Sequence, residues 1–180
     1  MQSDSNKKYG EFLAMIVTSM VVMFGLMYLN SYEISHIYWS ETRFFMTFIM
    51  GAAMAIIMLT FMRGMYQSSR ANLAIYVGSL LVFMVALFLV RSQTTVQDQS
   101  WMKAMIPHHS IAILTSERAE IEDVRVQELA NGIIEAQRRE IKEMEWLIED
   151  IQKNGVADTP SKAAARPVPN FQAALPQESD

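Results

Sequence analysis

Three stretches of this chain, Phe12–Leu29, Phe44–Met62 and Leu73–Val90, run for 18, 19 and 18 residues without one charged side chain. At a rise of about 1.5 Å per residue, a helix of that length nearly crosses a hydrocarbon core about 30 Å thick. In lipid a backbone must satisfy its own polar groups, so these runs are predicted as transmembrane helices at about 12–29, 44–62 and 73–90, within a membrane domain of residues 1–93. The first run follows Lys7 and Lys8, as a secretion signal would, but it is too long and has no small-x-small cleavage site, so it is expected to stay as an anchor. Tyr28, Tyr32, Tyr38 and Trp39 crowd the first connection, as aromatics at a bilayer interface do.

Loop charges suggest an orientation. Lys7, Lys8, Arg63 and Arg70 lie on one side and Arg43, Arg91 and Lys103 on the other. The excess places the N-terminus in the cytoplasm, and three crossings then put the C-terminal half outside. The expected location is a bacterial inner membrane with a periplasmic C-terminal domain.

The charge is uneven along the chain. Residues 1–97 carry six Lys/Arg against four Asp/Glu, residues 98–158 seven against thirteen, so the net charge of -4 sits on the second half. An acidic surface repels a phosphate backbone, which excludes nucleic acid and leaves cations, basic proteins and the lipid bilayer as partners. The absence of cysteine removes disulfides and thiolate metal sites together.

Residues 94–154 read as a helical hairpin with a break at Glu120–Asp123, where an Asp can cap the second helix. That helix has an apolar stripe at Val126, Leu129, Ile133, Met144, Leu147 and Ile151 and stops at Asn154-Gly155. Residues 155–180, rich in Pro, Ala and Gln, are expected to be a disordered tail. The fold class is all-α. Two helices cannot cover both apolar faces, so a second copy completing a four-helix bundle is expected, with packing onto the membrane unit as the competitor.

What interrupts the stripe is informative. Gln137 and Glu140 lie four and seven positions after Ile133, and Met144 four after Glu140. Burying Gln and Glu is costly unless they are paired or bind a cation. On the first helix, Met102, Met105, His108, His109 and Ala112 form a matching cluster. Antiparallel packing would bring the two sets together into thioether, imidazole and carboxylate donors suited to Cu(I) or Ag(I), with Cu(II) or zinc within reach of the harder donors. Against this, adjacent histidines point about 100° apart. Glu140 can instead pair with Arg138 or Arg139, and Met144 can be core. Pro107 either starts the helix or kinks it before the histidines.

The run Trp101-Met102-Lys103-Ala104-Met105-Ile106-Pro107-His108-His109, then Gln137-x-x-Glu140-Ile141-x-x-Met144, resembles the bacterial family called domain of unknown function 305, over roughly residues 95–152. The resemblance implies a ferritin-like helical bundle, generally exported, with copper or silver binding and tolerance among its members. It points to Met105, His108, His109, Gln137, Glu140 and Met144 as metal ligands. Leu114 departs from the pattern, since many members place a further Met there.

Fifteen residues are Met. Met46, Met50, Met54, Met58 and Met62 recur every four residues through the second span, a slowly winding stripe about 24 Å long. Met15, Met20, Met23 and Met27 of the first span could face it. A thioether track for a soft ion and ordinary gap-filling both fit this pattern. Gly51-Ala52-Ala53 with Ala55 suggests close helix approach on the same span. Glu33-x-x-His36 has the spacing of a di-iron ligand pair, but one copy falls short of a carboxylate di-iron site. An accessory role, with Met102, is what these residues offer.

These features lead to the expectation of a membrane-anchored, methionine-rich, homo-oligomeric protein that sequesters or relays copper or silver without catalysis. The rival readings are an interaction module that dimerises or binds another membrane protein, and a di-iron oxidoreductase.

Overall fold

The computed structural model describes residues 2–171, and every element among them is helical. The helices are α1 (Gln2–Leu26), α2 (Glu41–Phe61), α3 (Ser69–Ser92), α4 (Asp98–Arg118), α5 (Val124–Asn154) and α6 (Pro160–Ala165), with a short 3-10 turn at Ile34–His36. Two compact units separate along the boundaries Leu29/Asn30, Ser40/Glu41 and Val96/Gln97. The connection Asn30–Ser40 therefore belongs with α4 and α5, not with the helices it joins.

The first unit contains three helices long and apolar enough to cross a membrane: Asn6–Leu26, Glu41–Phe61 and Ser69–Ser92. Their outward faces are apolar, with Val17, Val21, Leu73, Leu81 and Phe88 all exposed, a surface that water solvates poorly and lipid well. Phe12 and Ile16 of α1 pack with Ala55 and Leu59 of α2 and with Tyr66. The small residues of α2 permit close approach, since a Cβ on Gly51 would collide with the Met20 side chain. Met54, Met58 and Met62 lie against the same core with Met20, whereas Met46 is exposed and Met50 half-buried. Near the ends of these helices, Tyr9 donates to the Asn72 side chain at 2.7 Å, and Asn72 donates to the Tyr66 carbonyl at 2.7 Å. Ser68 caps α3, its hydroxyl accepting from the Ala71 amide.

In the second unit, Met102, Ile106 and Ile113 of α4 pack on Ile141, Met144 and Ile148 of α5. Asp123 caps α5 by accepting from the Arg125 amide at 2.9 Å, and Gly155, at φ 76°, ends it. Pro107 neither starts nor divides α4: it is buried inside one continuous helix.

The expected stripe on α5 needs correction in its first half. The buried positions are Ala130, Ile134, Ile141, Met144 and Ile148, whereas Val126 and Leu129 are 45% and 63% exposed. Register explains this. With His109 opposite Glu140, Arg118 at the end of α4 is level with about Asn131, so the first two turns of α5 project past their partner helix.

The connection is tied to the hairpin: Tyr32 and Tyr38, expected at a bilayer interface, both pack on its core. In the segment read as a disordered tail, α6 is capped by Thr159, and Arg166 pairs with Asp150 at 2.6 Å. The remainder of that segment, residues 172–180, lies outside the described residues.

Candidate functional site

Among the buried positions of α4, Met102, Ile106, His109 and Ile113 follow one another by four, three and four, so His109 occupies a core position of the helix. Its ring is held at both nitrogens. Nδ1 lies 2.9 Å from the Met105 carbonyl, one turn earlier, and Nε2 lies 2.7 Å from Oε2 of Glu140 on α5. A carbonyl oxygen can only accept, so hydrogen-bond accounting places a proton on Nδ1. Nε2 is the nitrogen left to face the carboxylate. Such backing of one ring nitrogen by a carbonyl is the arrangement that orients a histidine whose other nitrogen binds a metal.

The other residues singled out from the sequence are distributed around this pair. Met102 and Met144 are buried in the core, and Met105 packs partly buried against it. His108 is exposed, its ring 6.2 Å from that of His109 and tilted by 65°, so the two adjacent imidazoles diverge as helical geometry requires. Gln137 lines a shallow groove with Arg125, Glu128, Leu129, Ile133 and Ala136. Arg138 pairs with Glu117, and Arg139 lies 3.6 Å from Glu143, so neither takes Glu140 from His109. Among the described residues, no three His, Asp or Glu side chains stand together around a common metal position. A soft ion at His109 and Glu140 would need thioethers to complete its shell.

A second polar locus joins the connection to α4. Ser110, fully buried, accepts from the Tyr32 amide at 2.6 Å and lies 3.0 Å from Nδ1 of the buried His36. Its hydroxyl either donates to Nδ1 or accepts a second bond from it, and the other nitrogen of the ring is Nε2. That nitrogen faces a cleft lined by Tyr32, Glu33, Ile113, Ile141 and Glu145. Glu33 Oε2 lies 3.9 Å from it and accepts from the Ser35 hydroxyl at 3.1 Å. Burial pushes the Glu145 carboxyl above its ordinary range, the charges of Glu33 and Glu149 add to this, and His36 and Lys142 oppose it. The Tyr32 phenol is raised, chiefly by its hydrogen bond to Glu117.

Ser110, Tyr32, Tyr38 and Glu145 were not foreseen in these roles. A signal was present: the eleven residues Asn30–Ser40 contain no glycine or proline and three large aromatics, unlike a free loop.

Residues 89–172, which include α4, α5 and α6, match the model of a family described as Domain of unknown function (DUF305). The chain is also similar to "Uncharacterized protein L153" of Acanthamoeba polyphaga mimivirus, 27% identical over 141 residues, which cover 77% of this chain and 91% of that one. No solved structure matches.

Proposed function

We propose that this protein is a membrane-anchored metal-binding protein whose hairpin captures copper or silver and holds or relays it, without catalysis of its own. The observation that carries the reading is the pinned ring of His109. Its Nδ1 is committed to the Met105 carbonyl, and its Nε2 faces a carboxylate, a second donor that can share an ion with it. The thioethers of Met102, Met105 and Met144 belong to the same packed seam and supply the soft donors that Cu(I) and Ag(I) favour. Imidazole with carboxylate also suits Cu(II) or zinc. His108, exposed beside this seam, is positioned to deliver an ion rather than to share its inner shell with His109. The loop charges support a cytoplasmic N-terminus and a periplasmic hairpin in a bacterial inner membrane. A periplasm-active reporter fused to the C-terminus tests that orientation.

One observation favours a second reading. Both nitrogens of His109 are already hydrogen-bonded within the chain, which is what a purely structural, half-buried ion pair in an interaction module would show.

Competition between the purified full chain and a chromogenic Cu(I) chelator separates the two. The metal reading expects one tightly held ion and a loss of about 100-fold in affinity for His109→Ala, at the upper end of what removing a metal-site group costs. Equal weak binding by both proteins would leave the interaction module standing.

A further inference from the structure

We infer that the turn at Ile34–His36 is two-faced: one side docks on the hairpin, and the other, Ile34 and Ile37 beside Trp39, enters the headgroup region of a lipid bilayer. The inference rests on the reading of this protein as membrane-anchored. Its first ground is the geometry of the turn. The His36 amide donates to the Glu33 carbonyl at 3.2 Å and the Ile37 amide to the Ile34 carbonyl at 3.1 Å, which closes a 3-10 turn. Side chains three residues apart eclipse in such a turn. Glu33 and His36 therefore share one side, and both line the cleft beside Ile113 and Ile141. Ile34 and Ile37 share another.

The second ground is exposure. Ile34 stands 88% exposed, Ile37 47% and Trp39 57%. Buried His36 and its bond to Ser110 hold the turn in place, so the isoleucines cannot turn inward without breaking that contact. A turn that faces water usually carries Gly, Asn, Asp or Ser, and apolar side chains gain nothing there unless a non-aqueous surface meets them. Glu33, the one acidic residue of Asn30–Ser40, is on the cleft side, so the apolar side brings no charge with it.

The third ground selects the occupant. Leu26 ends one candidate span and Glu41 begins the next, so residues 27–40 alone join them, and the turn is tethered at both ends to helices suited to lipid. Patch size argues against a protein partner. Two isoleucines and a tryptophan offer less than the roughly 800 Å² that each side of a stable protein interface buries. That area suits shallow insertion, and tryptophan is enriched at this depth of a bilayer.

The chain has no cysteine, so a single nitroxide label can be placed on the full-length protein at Ile34→Cys, Ser35→Cys, Ile37→Cys, Phe88→Cys or Glu128→Cys. Each labelled chain is reconstituted in phosphatidylcholine/phosphatidylglycerol vesicles. Electron paramagnetic resonance power saturation then compares access by oxygen, which concentrates in lipid, with access by a neutral nickel chelate, which stays in water. Phe88, exposed on α3, is the lipid reference, and Glu128, exposed on α5, the aqueous one. The oxygen-to-nickel ratio at Ile34→Cys and Ile37→Cys is expected to be at least five times that at Glu128→Cys. Ser35→Cys, on the cleft side of the same turn, should fall at least three-fold below both. Ile34 and Ile37 as open to nickel as Glu128, with Phe88 favouring oxygen, overturns the inference and leaves the membrane anchor standing. Shielding of Ile34 and Ile37 from both reagents overturns it in favour of a protein partner. Equal ratios at residues 34, 35 and 37 overturn the two-faced turn. Phe88 open to nickel would remove the membrane reading, and this inference with it.

Discussion

The two units satisfy their buried polar groups in different ways. In the unit of long apolar helices the Thr47 hydroxyl donates to the Arg43 carbonyl at 2.9 Å, and Asn72 bridges the Tyr9 hydroxyl and the Tyr66 carbonyl. These bonds end on the backbone or on a neutral side chain. In the hairpin unit His109 meets Glu140, and His36 meets Ser110 with Glu33 beyond it. Polar groups of the first kind fix a fold. Those of the second kind fix it and can also change state with pH or a bound ion, because low local dielectric makes both the pairing and its loss consequential.

The sharpest way to break this contrast is to replace both members of the exchangeable pair. Exchanging two bonded polar groups for apolar ones of similar size is often nearly neutral to stability. The double variant His109→Leu/Glu140→Leu is therefore expected to fold normally while losing Cu(I) affinity by about 100-fold or more. Unaltered copper binding would mean that the pair is no more than a strut. All three tryptophans, Trp39, Trp101 and Trp146, lie in the second unit, so their fluorescence follows hairpin unfolding separately from the membrane helices.

Next in size is Ser110→Ala. It leaves the Tyr32 amide and one nitrogen of His36 without their partner, which should cost the hairpin unit about 2–3 kcal/mol in denaturant unfolding followed by tryptophan. Asn72→Leu is the counterpart in the membrane unit. It orphans the Tyr66 carbonyl and takes the Asn72 acceptor from the Tyr9 hydroxyl, which keeps Ser68, and should cost about 1–2 kcal/mol there, read as earlier loss of helical circular dichroism in rising sodium dodecyl sulfate. Copper affinity and the tryptophan transition should stay where they were. A shift in either would show that the units are coupled.

The sequence revealed most where one local rule governs. The three apolar runs, the cap at Asp123, the stop at Gly155 and the close approach at Gly51 each depend on a length, a side-chain type or a backbone angle that the residue itself carries. The meeting of His109 with Glu140 was legible from spacing, because i, i+3 and i, i+4 arithmetic determines which side chains share a face. Two other matters were not legible. Which half of the α5 stripe is covered depends on where α4 ends relative to its partner, and no periodicity reports that offset. The docking of Asn30–Ser40 on the hairpin depends on Ser110, a small residue that resembles any helical serine until the Tyr32 amide and His36 reach it.

The smallest effect belongs to Glu145, and it tests whether the cleft beside His36 is part of the exchangeable network. Its folded-state pKa is raised above the ordinary value of 4.5, first by burial and then by the charges of Glu33 and Glu149, while His36 and Lys142 offset part of the rise. A carboxyl whose folded pKa is raised binds its proton more tightly in the folded chain than in the unfolded one. Its contribution to stability is complete below about 4.5 and is lost as pH climbs through the raised value. The tryptophan-monitored melting temperature of the wild type should therefore fall relative to Glu145→Gln as pH rises across that window, and the two should converge below it. Glutamine keeps the shape and removes the charge, so parallel curves for the two proteins would show that Glu145 is solvated in the folded chain and that Ser110 alone holds the connection on α4.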